Sequence, residues 1–83
     1  MPVLLSGAAQ EAALRLPKVV RLRVRAMLAE LERWPAVSGA KPLRGKLAGW
    51  YRKRTGDYRV VFRVSGADVY VEKIGHRRDV YEE

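Results

Sequence analysis

The chain has 83 residues, of which 48% are hydrophobic, and it carries a formal net charge of +8. This length suits one small domain, residues 1–83, and the hydrophobic content excludes a disordered basic tail. Cysteine is absent and histidine occurs once, which excludes a disulfide framework and argues against a metal site. No signal peptide or transmembrane segment is expected, and the lack of cysteine is compatible with the cytoplasm.

The first half of the chain predicts a short strand followed by two helices. Pro2 to Leu5 is an apolar run typical of an edge strand, and Ser6 is placed to cap a helix from Ala8 to Leu16. Pro17 ends this helix or begins the next, and Pro35 marks the expected end of the second. Apolar residues spaced by 4, 3, 4 and 3 give the second helix one face for the protein's own core. They are Val20, Val24, Met27, Leu31 and Trp34.

The second half of the chain predicts strands. Residues 36–49 are rich in Gly, Ala and Pro and predict a loop, after which the apolar period changes from helical to alternating. A hairpin with a Thr-Gly-Asp turn is expected next, followed by a strand from Val69 to Ile74 that ends at Gly75. The order β-α-α-β-β-β predicts an α+β fold, with a small, mostly antiparallel sheet and both N-terminal helices packed on one face.

The positive charge is concentrated between Lys41 and Arg63. This segment contains eight basic residues and one acidic residue, a net charge of +7. Such a local field attracts a polyanion: nucleic acid, the ribosome, an acidic protein or an anionic membrane. Composition alone leaves these partners open, together with the alternative of a basic surface that serves only solubility.

Several arginines of the hairpin share one face of the predicted sheet. Alternation directs Tyr58, Val60, Phe62 and Val64 towards the helices, and it leaves Arg59 and Arg63 on the open face. Arg52 and Arg54 join them if the strands pair in matching register. Like charges on paired strands repel, so an anionic ligand or solvent must offset them. Lys53 falls on the covered face, where we expect it to lie near the sheet edge and extend to solvent.

The residues after Gly75 extend this basic surface if the last strand is central. His76, Arg77, Arg78 and Tyr81 would then lie beside the arginines. An arginine fork can donate two N–H groups to a phosphate, and a tyrosine can stack on a base. The alternatives are that Arg77 is solvated and that Tyr81 covers the end of the core.

The segments "LRGKLAGWYRKRTGDYRVVFRV" and "IGHRRDVYEE" resemble the RelE side of the RelE/ParE toxin superfamily of bacterial and archaeal toxin–antitoxin systems. The resemblance covers the whole chain in length and element order, and it is specific from Leu43 to Tyr81. Its marks are the Leu-Arg-Gly loop, the Gly-Asp-Tyr-Arg strand start and the final Gly-His-Arg-Arg-Asp-Val-Tyr.

The resemblance implies a toxin that enters the ribosomal A site and cuts mRNA there, with no metal or other cofactor. It implies three partners, namely a cognate antitoxin, the ribosome and mRNA. The 2′-hydroxyl attacks the adjacent phosphate; Arg59 stabilises that phosphate, Arg77 lies near the leaving oxygen and Tyr81 orients the substrate. The implied catalytic set is Arg52, Arg54, Arg59, Arg77 and Tyr81. The basic residues expected to bind RNA around it are Lys41, Arg44, Lys46, Arg63 and Arg78.

Arg52 and Arg54 depart from the family pattern, because the best-known members have lysines there. Arginine does not lose its proton in proteins, so Arg54 is a poor general base. His76 is a candidate acid or base in the useful pH range, with a structural role as the alternative. We expect Arg59 and Arg77 to lie outside the core.

Two other functions remain open: a ParE-like poison of DNA gyrase without enzyme activity, and a degenerate RNA-binding member.

Overall fold

Two helices and five strands make up the fold in the computed structural model, which describes residues 1–80. In chain order they are β1 Val3–Leu5, α1 Gly7–Arg15, α2 Lys18–Leu31, β2 Lys41–Pro42, β3 Tyr51–Thr55, β4 Tyr58–Ser65 and β5 Asp68–His76. A short 3₁₀ helix, Gly45–Leu47, lies between β2 and β3. The predicted α+β order is confirmed, but the predicted loop at 36–49 also contains β2 and this 3₁₀ helix.

The strands form one mixed sheet in the order β1-β5-β4-β3-β2. β1 runs parallel to β5 at one edge, and the other neighbouring pairs are antiparallel. β5 lies between β1 and β4 and is therefore an interior strand. This is the condition under which the residues after Gly75 were expected to lie beside the arginines. It continues two residues beyond its predicted end at Ile74, because Gly75 and His76 still pair with Arg59 and Tyr58 of β4.

Both helices begin at the predicted signals. The Ser6 hydroxyl accepts a hydrogen bond from Ala9 N at 3.0 Å and donates to Glu72 O at 2.7 Å, so one side chain caps α1 and ties it to β5. α2 begins directly after Pro17, whose missing N–H costs nothing at a helix start. Neither helix within residues 1–80 is long and apolar enough to cross a bilayer.

The end of α2 differs from the prediction. The helix ends at Leu31, four residues before Pro35, whose nitrogen has no hydrogen to donate to the Leu31 carbonyl. The chain leaves the helix through tighter turns, in which Trp34 N donates to Leu31 O at 3.1 Å. Trp34 nevertheless reaches the core, where its ring makes edge contacts with Tyr51 and Phe62 at centroid distances of 4.8 and 5.4 Å.

The core lies between the helices and one face of the sheet. The predicted α2 stripe contributes Val24, Met27 and Leu31 as buried residues. In the sheet, Phe62 of β4 is fully buried and lies opposite Tyr51 of β3 and Val71 of β5. The alternation predicted for β4 on this covered face is therefore confirmed.

Lys53 lies on the covered face, opposite Val60, as alternation predicts. Its ammonium does not extend to solvent, because Nζ lies 3.1 Å from Glu30 Oε1 and donates to Ser38 O at 2.6 Å. The hydrogen bond from Lys53 is the largest cause that lowers the pKa of the Glu30 carboxyl below its ordinary value. The expected solvent-exposed lysine is thus an ion pair between β3 and α2.

Candidate nucleic-acid interface

The sheet face opposite the helices carries the hairpin arginines in the expected register. Arg54 lies directly opposite Arg59, and Arg52 lies opposite Val61 on one side and Lys41 on the other. The two strands therefore pair in the register that places Arg52 and Arg54 on the same face as Arg59. This surface, called the arginine face below, is formed by Lys41, Arg52, Arg54, Arg59 and Arg63.

Arg59 is held much more firmly than a surface arginine. Its residue is 6% exposed, and it is the one buried polar or charged residue among residues 1–80. Its Nη1 donates to the carbonyls of Gly56 and Tyr58 at 3.0 and 3.2 Å. Arg59 belongs to neither apolar cluster of the molecule, as expected of a residue outside the core, but it is buried rather than solvated. The hairpin turn binds the guanidinium and fixes its direction.

Arg54 is exposed, in contrast to Arg59 directly across the ladder. Directly opposite residues of an antiparallel pair have side chains within about 5 Å of each other at Cβ, so two like charges there destabilise the ladder. A phosphate bound between or above the two guanidiniums would remove this repulsion.

A second group of cations lines a groove at the β2 edge of the same face. Lys41, Pro42, Arg44 and Arg52 enclose a cavity volume of about 630 Å³. The structure thus brings two of the residues expected to bind RNA, Lys41 and Arg44, beside Arg52. A groove lined by three cations suits the track of a phosphate backbone.

Arg63 has aromatic neighbours on both sides. Its Cζ lies 5.3 Å from the ring centroid of Trp50 and 5.1 Å from that of Tyr70, which pairs with it on β5. Both distances are typical of cation–π contacts. This predicted RNA-binding residue is therefore half-buried in an ordered stack, rather than a freely moving cation.

The tail after β5 folds back against the hairpin turn. Arg77 N donates to Asp57 O at 2.8 Å, while its side chain is exposed and its Nε lies 4.0 Å from Asp57 Oδ1. Arg78 is also exposed. The structure places Arg77 beside the turn that binds Arg59, since Asp57 follows Gly56 directly. The predicted site residue Tyr81 lies outside the described residues.

His76 lies on the covered side of the sheet, away from the arginine face. It pairs with Tyr58, a covered-face residue, and its ring contacts the Tyr58 ring edge-on at 5.4 Å. Its Nδ1 accepts a hydrogen bond from Arg78 N at 3.2 Å. The expectation that His76 reaches the basic face is wrong, because the pairing register directs it to the other side. Over residues 1–80, no group of three or more His, Asp or Glu side chains is placed to hold a metal.

A small apolar cluster on the arginine face was not predicted. Leu43, Val61 and Val80 are buried together, with Leu47 and Trp50 packed against them. Val80 lies close over Gly75, where an added Cβ would come within 3.0 Å of its Cγ2. The cluster fastens both the loop before β3 and the tail to the sheet. The sequence signal for it is Val61, an apolar residue between two arginines on a face expected to be polar.

A bulge in β5 places two charged residues side by side on the same face. Phe62 pairs with Val71 and Val61 pairs with Lys73, so Glu72 is an extra residue in the ladder. Glu72 and Lys73 line a second groove together with Gly45, Lys46, Leu47, Trp50 and Val61. The signal in the sequence is that the apolar residues of β5 are first two and then three apart, at Val69, Val71 and Ile74.

Residues 3–81 match a family model described as the ParE toxin of the type II toxin–antitoxin system parDE. The chain belongs to the RelE/ParE superfamily of type II toxin–antitoxin toxins. This toxin is 34% identical to the toxin RelG of Mycobacterium tuberculosis over 67 residues, covering 78% of this chain and 76% of RelG.

Solved structures of toxins from this superfamily have the same fold. The toxin–antitoxin complex RelBE2 from Mycobacterium tuberculosis contains a chain that matches with a TM-score of 0.79 and 30% identity, over 94% of this chain and 92% of that one. The isolated RelE toxin of E. coli matches with a TM-score of 0.76 over 90% of this chain and 82% of its own. At 24% identity, the second match supports the fold alone. The predicted RelE-like fold is confirmed.

Proposed function

We propose that this toxin inhibits translation as a ribosome-dependent, metal-independent mRNA endonuclease. The observation that carries the proposal is the Arg54–Arg59 pair, two arginines directly opposite each other in the β3–β4 ladder. The Arg54 side chain is exposed, and the Arg59 guanidinium is held by the hairpin turn. Fixed positive charge at a reacting phosphate stabilises the negative charge that develops there. The cations of the arginine face also repel a metal ion, so the proposed site uses guanidiniums in its place.

The proposed reaction uses a nucleophile supplied by the RNA. The 2′-oxygen attacks the adjacent phosphorus, the bond to the 5′-oxygen breaks, and the products are a 2′,3′-cyclic phosphate and a 5′-hydroxyl. Arg59 and Arg54 stabilise the charged phosphorane, with Arg52 beside them. Arg77 acts near the leaving oxygen, and Tyr81, which lies outside the described residues, orients the substrate.

The proton transfers explain the requirement for the ribosome. A base must take the proton of the 2′-hydroxyl, and a proton must reach the 5′-oxygen. Arginine is an ineffective base, and His76 is directed to the other face of the sheet. In the proposed site, ribosomal groups therefore accept the proton of the 2′-hydroxyl and supply one to the 5′-oxygen, and the ribosome also holds the mRNA in the conformation for in-line attack.

A cognate antitoxin is the proposed inhibitor. The solved relatives include toxin–antitoxin complexes, namely RelBE2 from Mycobacterium tuberculosis and RelBE from E. coli. The arginine face and its adjoining loop carry most of the net charge of this toxin, so an acidic or amphipathic segment would cover and neutralise it. Co-expression of the small protein encoded beside this one should restore growth and yield a complex on purification. If neither occurs, that neighbour is not the inhibitor.

Cleavage of programmed ribosomes tests the endonuclease proposal. Purified toxin is mixed with ribosomes that hold a defined mRNA, and new 5′-ends are mapped; the same mRNA without ribosomes is the matched substrate. We expect cuts in the bound mRNA and almost none in the free mRNA. Equal cleavage of free RNA would remove the ribosome from the proposal, and no cleavage of either would overturn it.

Gyrase poisoning is the second candidate, favoured by the match to a family model described as a ParE toxin. Such a poison acts through a protein–protein contact and has no need of the Arg54–Arg59 arrangement. A DNA supercoiling assay with purified gyrase, run with the same toxin preparation, separates the two. Inhibition of supercoiling without RNA cleavage would establish this candidate; inactivity in both assays would indicate a degenerate member.

A further inference from the structure

The groove beside the arginine face, called the Trp50 groove below, has the size of a small-ligand site. Its lining encloses a cavity volume of about 560 Å³, within the range usual for such sites. Val61 connects it to the arginines, because this residue lies in the groove wall and directly opposite Arg52. Its lining residues are Gly45, Lys46, Leu47, Trp50, Val61, Glu72 and Lys73.

Trp50 is held in place by contacts of both its backbone and its ring. Trp50 O accepts from Leu43 N at 2.9 Å, and Trp50 N donates to Leu47 O at 3.0 Å. The ring packs against the apolar cluster and lies 5.3 Å from the guanidinium carbon of Arg63. A half-buried indole fixed in this way is a preorganised surface for stacking a planar group, and RNA bases stack on such rings irrespective of sequence.

Glu72 is an unexpected residue on a face that attracts phosphate. Val71 and Ile74 both lie in the core although they are three residues apart, and the bulge between them places Glu72 and Lys73 together on the opposite face. Within residues 1–80, no lysine or arginine lies within 4.0 Å of the Glu72 carboxylate. A carboxylate repels a phosphate but accepts hydrogen bonds from the N–H groups of a base.

We propose that the Trp50 groove binds a nucleobase of the RNA strand whose phosphate lies on the arginine face. The base stacks on Trp50, and the Glu72 carboxylate accepts hydrogen bonds from its Watson–Crick edge. Guanine fits best, because its ring N–H and its amino group are adjacent donors that match two carboxylate oxygens. Uracil fits worst, since one ring N–H lies between two carbonyl oxygens that the carboxylate repels. This inference rests on the proposed function, since it requires RNA on this face.

Binding of short RNAs tests the groove without any cleavage. The probes are the 2′-O-methyl trinucleotides UGU and UUU, which lack the attacking hydroxyl and cannot be cut. Quenching of tryptophan fluorescence reports stacking, and Trp50→Phe is the control that removes the reporting ring. We expect UGU to quench the parent protein and to bind about tenfold more tightly than UUU. Trp50→Phe should lose the quenching. The second tryptophan, Trp34, still fluoresces in this variant, but its ring packs against Phe62 in the core, on the other side of the sheet from the groove.

Glu72→Gln distinguishes base recognition from simple charge repulsion. Removal of the carboxylate should strengthen UUU binding, because a repulsive charge is lost, and should lower the UGU preference from about tenfold to about threefold or less. Asp68→Asn is the matched control, because it removes the same charge at the first residue of β5, where Asp68 pairs with Ser65. It should leave the preference unchanged.

The outcomes separate this inference from the endonuclease proposal. If the toxin cuts ribosome-bound mRNA but neither trinucleotide quenches Trp50, or Glu72→Gln leaves the UGU preference intact, the groove is not a base site and the enzyme stands. If UGU is preferred through Glu72 but no mRNA is cut, the base site stands and the endonuclease falls. A Trp50→Ala protein that binds both trinucleotides as the parent does in equilibrium dialysis, but loses its antitoxin, would assign the groove to a protein partner and overturn the inference.

Discussion

The two faces of the sheet are built from alternate residues of the same strands, but they reach stability in different ways. On the covered face, Phe62 and Val60 are fully buried against apolar neighbours, and the one lysine there is paired with Glu30. On the arginine face, Arg54 lies opposite Arg59, and two like charges on directly opposite residues of a ladder repel each other. Folding is thus supported mainly by the covered face, whereas the arginine face has a charge pattern that suits a ligand.

The arginine face is nevertheless more than a solvated surface. Arg59 is about as buried as Leu16 or Met27 of the core, and Val61 beside it belongs to an apolar cluster. This cluster holds the tail on the sheet through Val80. A buried guanidinium held by the carbonyls of a hairpin turn is preorganised, which is the property that electrostatic catalysis requires.

The largest expected effect is on the covered face. Phe62→Ala should lower the free energy of unfolding by about 3–5 kcal/mol, because a fully buried ring between Trp34 and Tyr51 is replaced by a cavity. Activity should be lost only through unfolding, as measured by thermal melts beside cleavage. Val61→Ala, the neighbouring position on the other face, should cost about 1–2 kcal/mol. An equal loss of unfolding free energy at the two positions would contradict the conclusion that the covered face provides most of the stability.

Arg59→Ala should have the opposite effect to Phe62→Ala: activity should be lost while most of the stability remains. Loss of one preorganised donor typically lowers the rate by about 10²–10³-fold. Because Arg59 donates to two carbonyls, we also expect a cost of about 1–2 kcal/mol, or roughly 4–16 °C in melting temperature. Arg59→Lys should be a partial lesion, since it keeps the charge but loses the planar fork. Growth arrest on induction, paired with melts, measures both effects.

Arg54→Ala is the matched control for Arg59, because it removes the same charge from an exposed side chain directly across the ladder. It should reduce cleavage while leaving the melting temperature unchanged or slightly raised. Arg77→Ala should also remove toxicity with a normal melt, since its side chain is exposed. If the proteins lacking Arg59 or Arg77 remain as toxic as the parent, the arginine face is not the active site and gyrase poisoning becomes the first candidate.

Sequence periodicity was sufficient for the hairpin but not for the contacts that join distant segments. The alternation in β3 and β4 predicted which arginines share a face, because a period of two leaves no choice once Phe62 is buried. A strict period of two does not hold through β5, where the bulge at Glu72 shifts it by one residue. The burial of Arg59 and the ion pair of Lys53 with Glu30 depend on a turn and a helix that become neighbours only after folding. The position of Val80 depends in the same way on Gly75.

Gly75→Ala should disturb the tail while the sheet remains intact. The new Cβ would meet Val80 Cγ2 at 3.0 Å, so Val80 must move away from the sheet. We expect faster trypsin cleavage after Arg77 and Arg78, and about tenfold lower ribosome-dependent cleavage, because a small displacement at a reacting site is costly. Gly7→Ala is the matched control, since nothing lies within 4 Å of its added Cβ. An unchanged trypsin pattern in Gly75→Ala would show that Val80 is not what holds the tail.

The smallest expected effect comes from the ion pair on the covered face. The hydrogen bond from Lys53 lowers the folded-state pKa of Glu30 below the ordinary value of 4.5, so the pair stabilises the protein fully above that pH. This contribution is lost as the pH falls through the lowered pKa, because the carboxyl takes up its proton. Glu30→Gln should therefore melt below the parent near neutral pH, by no more than about 1 kcal/mol, since the Glu30 side chain is 27% exposed.

The difference between Glu30→Gln and the parent should vanish in acid, where both carry an uncharged group at position 30. Glu32→Gln is the control, because it removes the same charge from an exposed residue just beyond α2. A difference that persists unchanged at acidic pH would mean that packing, rather than the charge on Glu30, joins α2 to β3. Lys53 would then be held by Ser38 O alone, and the covered face would need no ion pair for its stability.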